Sequence, residues 1–514
     1  MSDDTRQAID GLPEVQPPGP SNRALLEQVH PSDWAAPTPA GRYNLVVLGG
    51  GTAGLVAAAG AAGLGARVAL VERHLLGGDC LVTGCVPSKA LLRSARAAAD
   101  ARRAAALGVR TGDVEVDFPA VMERMRARRA ELARHDSAAR FRDLGVDVFL
   151  GEGRFTSPDT LEVGGRTLRF SRAVVATGAR AALPPIPGIE DAGVLTHQGL
   201  FSLEVLPPRL AVVGGGPIGV EMAQAFARFG SQVTLLEAGP RLLGQDDPAA
   251  SAAVLEALRA DGVDVRLGCR VEAVRRSDAD GPRTVQVSGE DGGAEVEADE
   301  VLVAAGRAPN VEGIGLEAAG VRYDRREGVE VDDRLRTSNR RVFAAGDVAS
   351  RHRFTHAADF LSRVVLRNAL FLGRARASDL VIPRATYTDP EVAQVGLTAD
   401  EASRRGLPHG VIEVALEDVD RAVLDGETAG FVKVVHDRRG RVLGATVVAA
   451  HAGEMIGELV SAVQRRAGLA ELSAVIHPYP TVADAVRRAG DLFNRTRLTP
   501  GRARLLRWFL ARRR

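Results

Sequence analysis

Cysteine is scarce in this chain, with three residues in 514. That scarcity excludes a disulfide-stapled secreted scaffold and points to a reducing compartment. An excess of one charge is missing too. Lysine and arginine total 66 against 65 aspartate and glutamate, a net of +1. The chain as a whole therefore offers no electrostatic case for nucleic acid. Its first residues are polar and acidic, unlike a secretory leader, so a cytoplasmic protein is expected. One uncharged apolar run, 45–66, is long enough to span a bilayer, but it holds seven glycines. A dinucleotide loop explains those glycines better than a membrane helix does. At this length about three or four domains are expected.

Two of the cysteines, Cys80 and Cys85, stand five positions apart in Gly77-Gly78-Asp79-Cys80-Leu81-Val82-Thr83-Gly84-Cys85-Val86-Pro87-Ser88-Lys89. The glycines let the backbone turn tightly. Pro87 and the alanine-rich run after Lys89 place a helix start at or near Cys85. A helix N-terminus lowers a thiol pKa and favours the thiolate. A structural staple gains little from so short a loop, so the pair reads as a redox dithiol rather than two unrelated thiols. Cys269 is isolated and reads as a buried small hydrophobe.

Tyr43 to Leu48 is an apolar strand that runs into Gly49-Gly50-Gly51-Thr52-Ala53-Gly54 and a small-residue helix. A second strand, 67–71, ends at Glu72. In such a β-turn-α-β unit Gly49, Gly51 and Gly54 let the backbone approach a pyrophosphate, and Glu72 accepts from a ribose. The unit recurs. The strand 210–213 leads into Gly214, Gly216 and Gly219, and a further strand ends at Glu237. First glycine to acid is the same distance both times (49 to 72, 214 to 237), so two dinucleotides are expected on one chain.

With the dithiol directly after the first unit, the chain resembles the disulfide-reductase flavoproteins, class I pyridine nucleotide-disulfide oxidoreductases. These include glutathione reductase, lipoamide dehydrogenase and mercuric reductase. The resemblance runs from about residue 42 to about 495, and the helix from Glu221 to Arg228 is most similar to the mercuric reductase branch. Further motifs follow in the family's order. Ala176-Thr177-Gly178 and Ala304-Ala305-Gly306-Arg307 resemble the strand ends where the chain passes between domains. Phe343-Ala344-Ala345-Gly346-Asp347 resembles the second flavin motif, with Asp347 on the ribityl chain. Phe354-Thr355-His356-Ala357 resembles the helix start that faces the flavin pyrimidine edge.

The resemblance implies an α/β fold with two Rossmann-like domains, for FAD and for NAD(P), and a C-terminal α+β dimerisation domain. The expected division is a proline-rich arm (1–40), FAD domain (41–186), NAD(P) domain (187–304), a second FAD-contacting segment (305–378), dimerisation domain (379–495) and basic tail (496–514). It also implies a homodimer, with FAD and NADH or NADPH as cofactors. Electrons would pass from NAD(P)H through FAD to a Cys80–Cys85 disulfide, with Cys85 beside the flavin and Cys80 meeting substrate. Lys89 and Glu221 take the places of the family's ion pair near the flavin. Glu237 favours NADH, because a carboxylate repels a 2′-phosphate.

The departures lie at His477-Pro478-Tyr479-Pro480-Thr481-Val482-Ala483-Asp484. Glutathione reductase and lipoamide dehydrogenase have histidine before the Pro-Thr pair and glutamate five residues after that histidine; here Tyr479 and Asp484 stand there. Mercuric reductase also has tyrosine at this place. A phenol with pKa of about 10 is a poor base at neutral pH. His477 is either a substitute base or structural. The sequence holds no second cysteine pair, and soft Hg(II) normally passes between thiolates. Efficient mercury reduction is therefore not expected, and the resemblance implies a small-molecule electrophile, a disulfide or a metal ion as acceptor. The alternatives are lipoamide dehydrogenase, a flavin redox sensor that docks on a partner, and a quinone reductase.

Two other segments are read from charge. Residues 118–144 are expected to form one long helix whose arginines are solvated. The segment from Arg495 carries eight arginines and no acid, interleaved with Leu505, Leu506, Trp508, Phe509 and Leu510. It reads as a peripheral membrane contact or as a helix packed on the dimer.

Overall fold

The short hydrophobic runs around the first glycine loop become parallel strands, because such runs suit a sheet buried on both faces. In the computed structural model, which describes residues 15–39, 41–278, 281–289, 292–371 and 373–513, Leu45 to Leu48 and Val68 to Glu72 are all buried. Arg42–Leu48 pairs in parallel with Val68–Glu72 on one side and Arg166–Val175 on the other. Val146–Leu150 extends one edge, and Val342–Ala344 joins Arg166–Val175 in parallel. Thr160–Val163 and Gly153–Ser157 complete a seven-stranded sheet. The helix Thr52–Gly63 starts directly at the glycine loop.

The described residues fall into two compact units. The first comprises the chain up to Gly214, Met222–Ala238 and Cys269–Leu380. Beside the large sheet it holds a second parallel set, in which Arg209–Val213 pairs with Gln232–Leu236 and with Glu300–Val303. An antiparallel meander follows from Arg270–Arg276 through Arg283–Gly289 to Gly292–Ala298. A short antiparallel pair, Arg307–Pro309 with Ala179–Ala181, ties the two expected strand-end motifs together.

The second unit comprises Gly215–Glu221, Gly239–Gly268 and the chain from Val381 onward. Its centre is a five-stranded antiparallel sheet in the order Arg384–Thr386, Glu391–Gly396, Val442–Ala449, Phe431–His436, Gly410–Ala415. The helices Ala452–Arg465 and Asp484–Thr496 cover the sheet with Leu459, Val486, Ala489 and Phe493. Among the described residues no helix is long and apolar enough to cross a membrane.

The proline-rich arm reads in the sequence as a linker that Leu25, Val29 and Trp34 could pin to the body, and that pinning is present. Residues 1–14 and 40 lie outside the described residues, but Pro20–Val29 is a helix whose Leu25 and Val29 are fully buried. Trp34 donates its indole N–H to Val148 O at 3.0 Å, so three apolar anchors pin the arm. One expectation needs correction, at 118–144. This stretch is two helices, Phe118–Ala133 and Ala138–Asp143. Arg126 and Arg129 are buried rather than solvated, with Arg129 only 2% exposed. Arg129 donates to Val82 O (2.7 Å) and Asn22 Oδ1 (2.6 Å), and burial pulls its pKa down to about 10. Charge count alone could not show that these guanidinia satisfy backbone and arm acceptors.

Candidate active site

The dithiol sits where two helices meet. Gly78–Val82 carries Cys80, and Cys85 is the first residue of the nineteen-residue helix Cys85–Arg103. The expected helix start at Cys85 is present. The two thiols hydrogen-bond one another, and that bond, followed by burial, pushes the Cys80 thiol far up. Cys85 Sγ lies 3.3 Å from Thr355 Oγ1, at the first residue of the helix Thr355–Leu370. One sulfur therefore faces two helix N-termini, each carrying partial positive charge that favours a thiolate. Phe354 and His356 stack on each other beside this point, their centroids 5.4 Å apart.

The carboxylate next to Cys80 organises the rest of the cluster. Asp79 accepts from His197 Nε2 at 2.9 Å, Arg307 Nη2 at 2.6 Å and Thr83 Oγ1 at 2.6 Å. Burial opposes its ionisation, yet the bonds from His197 and Thr83 and the charge of Arg307 hold it well below the usual carboxylate range. Arg307 Nε also faces Asp347 at 3.4 Å. Sequence reasoning missed Asp79, Thr83 and His197, and it saw Arg307 only as part of a strand end. An acid beside a redox cysteine is a legible signal. His197, distant along the chain, carried none.

The residues present fit a flavin dinucleotide. Gly49 has φ +107°, and a Cβ built there would lie 2.3 Å from Ala176 O, so only glycine allows the strand ends to approach. At Gly51 the same test meets nothing nearer than 3.8 Å, which leaves room over the helix start. Glu72 Oε2 accepts from Gly50 N at 2.5 Å and Oε1 from His74 N at 2.7 Å. Burial pushes the Glu72 carboxyl up despite those bonds. Burial likewise raises Asp347, a partly desolvated acid suited to sugar or ribityl hydroxyls. Thr177 Oγ1 donates to Asn310 O at 2.7 Å, and Gly178 takes φ +68°.

The second glycine unit repeats the first. Gly214 has φ +110°, and a Cβ there would lie 2.7 Å from Ala304 O. A Cβ at Gly216 would meet nothing within 4 Å. Gly219 is buried in the helix Pro217–Phe229, Gly306 has φ +138°, and Glu237 follows the strand Gln232–Leu236. Glu221 is buried and accepts from Tyr387 N at 2.9 Å. Lys89 lies one turn beyond Cys85 on the same helix.

The C-terminal motif divides into buried and exposed members. The His477 side chain is 7% exposed, and Nε2 meets Glu458 Oε2 at 2.8 Å. Tyr479 is 75% exposed, and its hydroxyl donates to Asp420 Oδ2 at 3.1 Å, which raises the phenol pKa. Asp484 is bound by Arg487 Nε at 2.7 Å and Arg488 Nε at 2.8 Å. Burial would raise Asp484, but the two guanidinia leave it lowered. Neither His477 nor Tyr479 has Asp484 as its hydrogen-bond partner; His477 meets Glu458 and Val475 O, and Tyr479 meets Asp420.

Comparison with known proteins agrees with this geometry. Residues 43–360 match the pyridine nucleotide-disulphide oxidoreductase model, and residues 382–489 match that family's dimerisation domain. A mercuric reductase from Bacillus cereus is 34% identical over 454 residues, covering 88% of this chain and 72% of that protein. A dihydrolipoyl dehydrogenase from Bacillus subtilis (strain 168) is 32% identical over 461 residues, covering 87% and 97%. The solved Cu(II) complex of the HOCl-induced flavoprotein disulfide reductase RclA from Escherichia coli superposes with a TM-score of 0.77 at 30% identity. That match covers 86% of this chain and 98% of that one. The dimerisation-domain match supports a homodimer. The chain belongs to the pyridine nucleotide-disulphide oxidoreductase family, in its mercuric reductase-like branch, and is an oxidoreductase that uses FAD and NAD(P)H.

Proposed function

We propose that this enzyme takes electrons from NADH and delivers them through Cys80 and Cys85 to an electrophilic acceptor, either a disulfide or a soft metal ion. The observation that carries the reading is the hydrogen-bonded thiol pair, with Cys85 Sγ at one helix N-terminus and 3.3 Å from Thr355 Oγ1 at another. FAD, when bound, supplies the two-electron step between a nicotinamide and a dithiol. Gly49, Gly51, Gly54, Glu72, Thr177, Gly178 and Asp347 are the residues that would hold it. Lys89 lies on the Cys85 face of the dithiol helix, where a cation favours added electrons nearby.

The thiol chemistry balances within the chain. With a disulfide acceptor, the Cys80 sulfur attacks one acceptor sulfur and expels the other as a thiol. The Cys85 thiolate then attacks Cys80, expels the second acceptor thiol and closes the Cys80–Cys85 disulfide. The Cys80 proton leaves with one product thiol, and the second product departs as a thiolate that takes its proton from solvent. The helix-terminal position of Cys85 favours the thiolate form of the second nucleophile. Tyr479, exposed and bonded to Asp420, is the donor proposed to meet the acceptor across a homodimer. His477 is tied to Glu458 and buried, which favours the structural role for it. Asp484 holds Arg488, which donates to Asp420 Oδ1 at 3.1 Å, the carboxylate that accepts from Tyr479.

A metal-ion acceptor draws support from relatives described as mercuric reductases and from a neighbour solved as a Cu(II) complex. With three cysteines in all, this chain has no second thiol pair to relay Hg(II), so copper is the better first candidate. Glu237 directly follows the second unit's strand, where a carboxylate suits the ribose hydroxyls and repels a 2′-phosphate, which supports NADH over NADPH. A cytoplasmic location is proposed with the reducing chemistry. The test is an anaerobic acceptor screen of pre-reduced enzyme, following flavin reoxidation by stopped flow with oxidised glutathione, lipoamide, Cu(II), Hg(II) and a quinone. Fast reoxidation by a disulfide or Cu(II) that is lost in Cys80→Ser is expected. Reoxidation unaffected by that substitution would refute the dithiol route, and a quinone-only response would favour direct quinone reduction.

A further inference from the structure

We propose that the C-terminal helix Pro500–Ala511 docks the enzyme on an anionic lipid bilayer. The helix is its own element. Thr499 caps it by accepting from Arg502 N, and Pro500 occupies its first turn, so it does not continue Asp484–Thr496. None of its residues is buried, although Leu505, Leu506, Trp508, Phe509 and Leu510 are all large and apolar.

Leu505, Leu506, Phe509 and Leu510 are spaced to share one side of a helix, Arg504 and Arg507 fall on the opposite side, and Arg502 and Arg513 stand at the two ends of the apolar side, where long side chains reach outward to headgroups. Trp508 lies on the flank with Arg512 stacked 3.5 Å over its ring, and Arg513 lies 4.5 Å over Phe509. An indole beside guanidinia suits the headgroup boundary, where one side of the ring is apolar and the other wet.

Charge names the occupant. From Arg495 onward the sequence holds eight arginines and no acid, although the whole chain carries only +1. Anionic headgroups complement that concentration. A second copy of this chain fits less well, because an isologous contact through this helix would set arginine against arginine. Twelve residues span about 18 Å, well short of the ~30 Å hydrocarbon core, so the helix lies in the interface plane. The docking is independent of which acceptor the dithiol serves.

The test uses full-length FAD-loaded protein. It is expected to sediment with vesicles containing phosphatidylglycerol, to stay in solution with phosphatidylcholine vesicles, and to be released in part by salt. Replacing both Arg504 and Arg507 by glutamine should weaken partitioning by about 30-fold. Leu506→Glu with Phe509→Glu should abolish it while NADH oxidation stays unchanged. The chain has two tryptophans, so in Trp34→Phe the emission reports Trp508 alone and should shift to the blue on anionic vesicles. Unaltered protein that ignores phosphatidylglycerol vesicles would overturn the proposal. So would Trp508 emission already blue and quencher-shielded without lipid, which would place the helix against a second copy.

Discussion

Asp79→Asn removes the charge that ties the dithiol turn to its surroundings while keeping the side chain's shape. In the wild type this carboxylate accepts from His197, Arg307 and Thr83 at 2.9, 2.6 and 2.6 Å. Breaking one half of a buried ion pair costs about 3–5 kcal/mol. Two features place Asp79 at the low end. Arg307 keeps Asp347 at 3.4 Å, and the Asp79 side chain is 29% exposed, which admits some solvent screening. A loss of about 3 kcal/mol corresponds to a fall in melting temperature of about 6 °C for a large domain. The pH dependence has a definite sign. The Asp79 pKa is depressed in the folded state, so its contribution is complete above the unfolded value and is lost as pH falls towards the folded one. The gap between wild type and variant should hold from neutrality down to about pH 4 and close below it. Differential scanning calorimetry of both proteins across that range makes the measurement. Equal melting temperatures at neutral pH, or a gap that closes well above pH 4, would refute the reasoning.

Gly49→Ala puts a Cβ 2.3 Å from a backbone oxygen at φ +107°, so the purified variant should lack flavin absorbance, and a fully flavinated yellow protein would contradict the strand-end geometry. Backbone strain alone contributes on the order of 2 kcal/mol there. Glu237→Arg should lower kcat/KM for NADH by about tenfold while raising that for NADPH, since a single charged contact at a ribose carries about 1–2 kcal/mol; an unchanged ratio would remove Glu237 from the nucleotide site. Tyr479→Phe should slow acceptor reduction by at least about tenfold with the flavin-reduction phase unaltered, as loss of a proton donor does. Normal turnover would leave Tyr479 outside the chemistry.

Legibility in the sequence followed locality. The glycine loops, their flanking strands and the helix start at Cys85 are set by neighbours within a few residues, and all stand where the spacing put them. Contacts across the chain were not legible. Arg126 and Arg129 look like surface charge in one dimension, yet Arg129 bridges Val82 O and Asn22 Oδ1 from elements far apart in sequence. The arm was legible in part: its prolines suggested a linker, and Leu25, Val29 and Trp34 already stood out as apolar anchors among them. Asp79 could have been suspected from its place beside Cys80, but its three partners come from the turn after it, a short helix and a distant strand. At the C-terminal motif the sequence showed the tyrosine in place of histidine. Only the fold shows that Glu458 and Asp420, both outside that motif, accept from its polar groups.

The claim that electrons leave through the two sulfurs is tested most directly by counting reducing equivalents. Anaerobic dithionite titration of FAD-loaded wild type should consume twice as much reductant per flavin as titration of Cys80→Ser, because a closed Cys80–Cys85 pair is a second acceptor of an electron pair. Equal consumption by the two proteins would show that the sulfurs take no part and would contradict the account.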